Sequence, residues 1–185
     1  MILLNPGKNK RRVVELPGDT VDTNLQRWLK DHAPSGGIDT LDPAITISAA
    51  ARITGLSDSA LRKYESAGLI IYHRTAGNVR MLCIEDLGRI QMIQHLIKKR
   101  GLNLEGLLRL WALLPCWEFK DCDREKNKDC PALRDSERPC WVLHNEQNGC
   151  EDWSCRKCEV YRFGAYCTED MKEVLRNIQN PEAGK

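Results

Sequence analysis

Apolar positions between residues 45 and 115 recur at helical spacing in short blocks broken by single glycines, which predicts several short helices. Ser48 precedes an alanine-rich run that stops at Gly55, so a first helix is expected to be capped by Ser48 and ended by Gly55. Ser57 stands before a second run, residues 58–66, closed by Gly68. A glycine between two short helices is the turn signal of a helix-turn-helix. Residues 69–72 read as a strand, residues 75–78 as a turn and residues 79–82 as a second strand, the pattern of a wing. Leu87, Ile90, Ile93, Leu96 and Ile97 then share one face of a helix over residues 85–100. Lys98, Lys99 and Arg100 sit at its C-terminal end, where cations suit the helix dipole. A further helix follows Asn103 and stops near Pro115.

The flanks are patterned differently. Residues 1–44 carry repeated Pro-Gly turns and weak periodicity, and read as a flexible arm with a short helix over residues 23–31. Its Lys8, Lys10, Arg11 and Arg12 read first as a solvated tail and second as phosphate contacts. Few helix signals occur in residues 116–167. A last helix over residues 169–179 is expected from the stripe Met171, Val174, Leu175 and Ile178. The predicted fold is mainly α. A winged helix-turn-helix domain (45–115) is followed by a small irregular cysteine-rich metal-binding domain (116–167), then a C-terminal helix and tail (168–185).

Charge sharpens this division. The net charge of +2 hides a local excess: residues 45–115 hold ten basic and five acidic groups, while residues 116–167 hold nine and eleven. A basic block on a helix-turn-helix is what phosphate binding requires, although an ordinary solvated surface has the same composition. No apolar run approaches the ~18 residues that span a bilayer. The short apolar start followed by basic residues is the reverse of a secretory signal, so a cytoplasmic, nucleoid-associated protein with no membrane partner is expected.

With these elements in order, the stretch from Ile47 to Ser57, then Leu61-Arg62-Lys63-Tyr64-Glu65 and Gly68-Leu69-Ile70, resembles the MerR family. The wing from Arg74 to Arg80, the segment Glu85-Asp86-Leu87 and the run from Gly101 to Gly106 continue the match. The resemblance implies a homodimer on double-stranded promoter DNA of dyad symmetry, with RNA polymerase as a further partner. It places the helix after Ser57 in the major groove. Arg62 and Tyr64 are then expected at the DNA backbone or groove, and Arg74, Arg80 and Asn78 at the wing's phosphate contacts. Ser57, Ser59 and Lys63 are candidates for base or phosphate contacts. Glu65 is expected to pair with a nearby arginine and fix the helix. Three departures stand out: the family's wing aromatics are Val79 and Leu82 here, Cys83 stands at a helix cap, and the dimerisation helix is cut short at Pro115. Cys83 reads as a packed structural cysteine rather than an activated thiolate.

The second outlier is cysteine. Eight of the nine lie between Cys116 and Cys167: Cys116, Cys122, Cys130, Cys140, Cys150, Cys155, Cys158 and Cys167. Clustered thiols in a reducing compartment bind metal or act as redox groups. Only Cys155-Arg-Lys-Cys158 is a C-x-x-C pair, whereas structural zinc favours two such knuckles. The paired Pro115-Cys116-Trp117 and Pro139-Cys140-Trp141 motifs resemble small modules with two Cys-Trp units. An iron–sulfur cluster is therefore the preferred cofactor and zinc the alternative, with all eight cysteines as candidate ligands in no assigned grouping. Trp117, Trp141 and Trp153 either shield such a centre or build the core of a small domain.

No Gly-rich phosphate loop, His pair or nucleophile–base set is present, so no enzyme is expected. The leading expectation is a promoter-binding regulator controlled by a cysteine-ligated sensor. The alternative is an adaptor whose zinc-stabilised domain docks another protein.

Overall fold

The computed structural model describes residues 40–119, 128–147 and 155–164. The expected helices over residues 23–31 and 169–179, the basic run near Lys8, Trp153, and Cys122, Cys150 and Cys167 lie outside the described residues. Those that are described fall into two units, one ending at Arg109 and the other beginning at Leu110. Each is mainly helical, as the sequence predicts, and the first also holds a small three-stranded sheet. Among the described residues no helix is long and apolar enough to cross a membrane.

The first unit starts with β1 (Ile45–Thr46), which leads directly into α1 (Ile47–Thr54). The Thr46 hydroxyl accepts the Ala49 N–H at 3.2 Å, so the helix cap is Thr46 rather than Ser48. Ser48 instead donates to Asp58 Oδ2 at 3.3 Å and ties α1 to the next helix. Gly55 ends α1 at φ 67°, a left-handed conformation that costs other residues about 1–2 kcal/mol. Ser57 caps α2 (Asp58–Ser66) by accepting the Ala60 N–H at 3.1 Å, as its sequence position suggests.

The wing consists of β2 (His73–Arg74) and β3 (Arg80–Leu82). It is closed by the Thr75 N–H donating to the Val79 carbonyl and the Asn78 N–H to the Thr75 carbonyl. Residues 69–72 are not the strand their apolar run suggests. Leu69, Ile70 and Tyr72 are buried without alternation, Leu69 N–H donates to the Tyr64 carbonyl, and Leu69 O accepts Arg89 Nε at 2.7 Å. The helix end and Arg89 thus take the Leu69 backbone groups that a ladder would need. Val79 also falls outside its expected strand, at the exposed wing tip.

β1 pairs antiparallel with the far edge of β3, Ile45 opposite Leu82, giving the order β1-β3-β2. A two-residue strand is too short for an alternation signal, which is why the sequence shows no sign of it. Then α3 (Ile84–Arg100) runs to Gly101, left-handed at φ 68°. Its apolar face joins Leu61, Leu69 and Leu82 in the core, where Leu87, Ile90 and Ile93 are fully buried. Gln94 donates to the Thr54 carbonyl at 3.1 Å and so satisfies the end of α1. Asn103 Oδ1 accepts the Gly106 N–H at 2.7 Å at the start of α4 (Leu104–Ala112), which contributes its last residues to the second unit.

The second unit departs from the expected irregular segment. It contains α5 (Cys116–Phe119), α6 (Cys140–Gln147) and α7 (Glu159–Gly164), with 3-10 turns at Pro131–Leu133 and Cys155–Lys157. These helices are short and α6 has no clear apolar stripe, so periodicity could not reveal them. Trp141 is their hub. Its ring lies 5.9 Å from that of Trp111 and 5.5 Å, edge-on, from that of Tyr161, and all three residues are buried. A Cβ on Gly164 would stand 2.6 Å from Leu114 Cδ1, so a larger residue there would require the Leu114 side chain to shift.

Candidate nucleic-acid interface and cysteine cluster

Two faces divide α2. Leu61 and Tyr64 point into the core, while Ser57, Ser59, Arg62 and Lys63 are exposed. Ser59, Arg62 and Lys63 lie three and four residues apart, so they share one helix face. The Ser57 and Ser59 hydroxyls are 2.9 Å apart at its start. This stripe of two hydroxyls and two cations suits a phosphate or a base edge. Tyr64, expected at the DNA, is only 8% exposed, and burial raises its phenol above the ordinary range. Its chief contribution is to packing.

The wing is held against α2 by one carboxylate. Glu65 Oε1 accepts Arg74 Nη2 at 2.7 Å, and Glu65 Oε2 accepts Arg80 Nε at 2.8 Å. Arg74 and Arg80 also face each other across β2 and β3. Two like charges directly opposite would repel, and Glu65 between them removes that cost. The Arg74 Nη1 donates to Asn78 Oδ1 at 3.2 Å, which supports the wing-tip residue at φ 59°. The Arg80 guanidinium lies 5.9 Å from the centre of the Tyr72 ring. Tyr72 is buried, and burial together with the Glu65 carboxylate pushes its phenol up, against the pull of Arg80 and Arg62. The sequence reading anticipated the Glu65 pairing but not that one glutamate takes both wing arginines.

Of the two residues that replace the family's wing aromatics, Leu82 is fully buried and only Val79 is exposed, at 52%. Sequence reasoning missed Arg89, whose buried guanidinium reaches across twenty positions to the Leu69 carbonyl. A lone arginine on an apolar helix face was its one signal. Cys83 is fully buried at the start of α3, and its N–H donates to Asp86 Oδ2 at 2.9 Å. It is the packed cysteine the sequence suggests.

In the second unit the structure describes five of the eight candidate ligands, none of them in a disulfide. Cys116 opens α5, Cys140 opens α6, and Cys155 and Cys158 bracket the turn before α7. The Cys140 thiol is hydrogen-bonded with Cys116. That bond, burial, and then the charges of Cys116, Cys158 and Cys155 hold it well above the ordinary thiol range. The Cys130 Sγ lies 3.6 Å from His144 Nε2. Among the described residues no three His, Cys, Asp or Glu side chains stand at ligand positions around one point.

The family described as MerR HTH family regulatory protein matches residues 45–112. A protein described as a putative heat shock protein HspR, from Streptomyces coelicolor, is 37% identical over 71 residues. That stretch is 38% of this chain and 47% of the relative, so the chain matches about half the relative's length. No solved structure matches the chain. The family match covers the helix-turn-helix, the wing, α3 and α4, and stops before Cys116.

Proposed function

We propose, from the premise that residues 45–112 are a helix-turn-helix domain of the MerR family, that this protein is a transcriptional regulator that binds promoter DNA. The observation that carries the reading is the exposed stripe Ser57, Ser59, Arg62 and Lys63 on a helix whose other face is locked in the core. Major-groove readers present such a helix with cations and hydroxyls outward. The wing, held by Glu65, sets Arg74 and Arg80 beside the helix, where their remaining N–H groups can meet phosphates. The regulator acts as a homodimer on a site of dyad symmetry, as its family resemblance implies, and works together with RNA polymerase.

The cysteine unit is the sensor in this reading, and its cofactor is an iron–sulfur cluster or, second, zinc. Thiols are the donors such a group takes, and the segments that carry Cys116, Cys140, Cys155 and Cys158 adjoin a Trp–Trp–Tyr core, although among the described residues no three potential ligands stand around one point. A bound metal would supply a redox- or metal-dependent constraint on the unit's short helices.

Fluorescence anisotropy with DNA from upstream of the protein's own coding sequence tests the regulator. Specific binding is expected, with Arg62→Ala weakening it and reducing the slope of log affinity against log salt by about one unit, one phosphate contact fewer. Equal affinity for upstream and unrelated DNA would overturn the proposal.

A further inference from the structure

The two arginines that share Glu65 are held in different ways. Arg74 spends both terminal nitrogens inside the wing: Nη2 donates to Glu65 Oε1 at 2.7 Å and Nη1 to Asn78 Oδ1 at 3.2 Å. Arg80 uses Nε alone, donating to Glu65 Oε2 at 2.8 Å. Among the described residues its Nη1 and Nη2 meet no acceptor, and neither is a buried atom, so the end of its fork opens to solvent. A guanidinium with that edge open can take two oxygens of one phosphate. Arg74 can offer the same edge only by giving up a bond that shapes the wing tip.

Tyr72 supports Arg80 from behind. It stands two residues before Arg74, which pairs with Arg80 across β2 and β3, so it is the diagonal neighbour of Arg80 and within reach of a long side chain. The Arg80 guanidinium carbon lies 5.9 Å from the centre of the Tyr72 ring, inside the range of a cation–π contact. Tyr72 is only 6% exposed, so packing keeps the ring in place. Its hydroxyl is buried as well and has no hydrogen-bond partner among the described residues, which leaves the face of the ring as the part in use. One bond from Nε lets the guanidinium plane turn; a fixed ring against that plane stops it.

We propose that Tyr72 is a positioning residue for DNA binding: its ring holds the Arg80 guanidinium so that the open fork meets a backbone phosphate, while Arg74 braces the wing. The ligand comes from the regulator reading above, and the posture comes from the wing alone. The two arginines thus carry unequal roles that their facing places in the β2–β3 register do not reveal.

Anisotropy of the full-length protein with upstream and unrelated DNA, over a range of salt, tests this. Arg80→Gln is expected to lower the slope of log affinity against log salt by about one unit, and Arg74→Gln to lower it less. Tyr72→Leu removes the π face and is expected to weaken binding about two- to fivefold. Tyr72→Phe keeps the ring and is expected to restore the affinity. Replacing Tyr72 by a ring-fluorinated phenylalanine keeps the shape but withdraws charge from the face, so it should weaken binding as Tyr72→Leu does, even if the leucine variant fails to fold. Melts followed by circular dichroism show which proteins are folded at the assay temperature. In an Arg80→Gln background the Tyr72 changes should add no further loss, because the ring acts through Arg80. Equal slopes for Arg74→Gln and Arg80→Gln overturn the division of roles. A fluorinated ring that binds like Tyr72→Phe, or a Tyr72 effect of the same size with and without Arg80, reduces the ring to packing and overturns the proposal. If the unaltered protein binds upstream and unrelated DNA alike, the regulator reading falls, but the slopes on either DNA decide the posture, since phosphate contacts do not depend on sequence.

Discussion

Glu65 connects the recognition helix to the wing through two ion pairs of 2.7 and 2.8 Å, both partly exposed. Exposed pairs contribute about 0.2–1 kcal/mol each, so their importance is geometric more than energetic. Glu65→Gln is expected to lower stability by about 1 kcal/mol in a urea melt. The same change should reduce the ratio of specific to non-specific DNA affinity, because Arg74 and Arg80 then repel across the β2–β3 pair. A variant with unchanged specificity would mean that the wing is held by its turn alone. Asp135 makes a second residue-scale case. Its carboxylate accepts the Glu137 N–H at 2.7 Å and the Arg138 N–H at 2.8 Å, and those bonds hold its pKa below the ordinary carboxylate value. A depressed folded pKa means the contribution is present above the unfolded carboxylate pKa and is lost as pH falls through the folded one. Amide exchange at Glu137 and Arg138, corrected for intrinsic rates, should therefore show protection at neutral pH that disappears at the acid end.

At the scale of elements, α1 and α2 were legible because their signals are local. Gly55 and Ser57 bound a turn that backbone conformation and capping demand wherever the rest of the chain goes. Gly55→Ala meets nothing within 4 Å, so its cost is conformational alone, at φ 67°. A loss of about 1–2 kcal/mol is expected in thermal or urea unfolding. A neutral result would show that the turn tolerates another conformation. Residues 69–72 misled for the opposite reason. Their apolar run is real, but their backbone groups are claimed by the end of α2 and by Arg89, twenty residues on. The cap of α1 moved from Ser48 to Thr46 because both positions carry a hydroxyl, and only the strand pairing of Ile45 with Leu82 selects between them.

For the whole molecule, two units imply two separable stabilities. Trp141 is 2% exposed and joins Trp111 to Tyr161, so Trp141→Ala is expected to cost about 3–5 kcal/mol in the cysteine-rich unit. Limited proteolysis should then cut that unit first and leave the helix-turn-helix intact. Simultaneous loss of both would overturn their independence.

By itself the sequence determined the helix-turn-helix, its bounding glycines, the Ser57 cap, the charge of the block and the presence of a thiol cluster. All of these are local patterns whose physics acts within a few residues. Only the tertiary structure decided that one glutamate holds both wing arginines, that Tyr64 and Leu82 pack inward, and that Trp111, Trp141 and Tyr161 gather into one core. Those outcomes depend on segments that lie from nine to more than forty positions apart, and nothing in local spacing records which of several equivalent side chains the core will bring together.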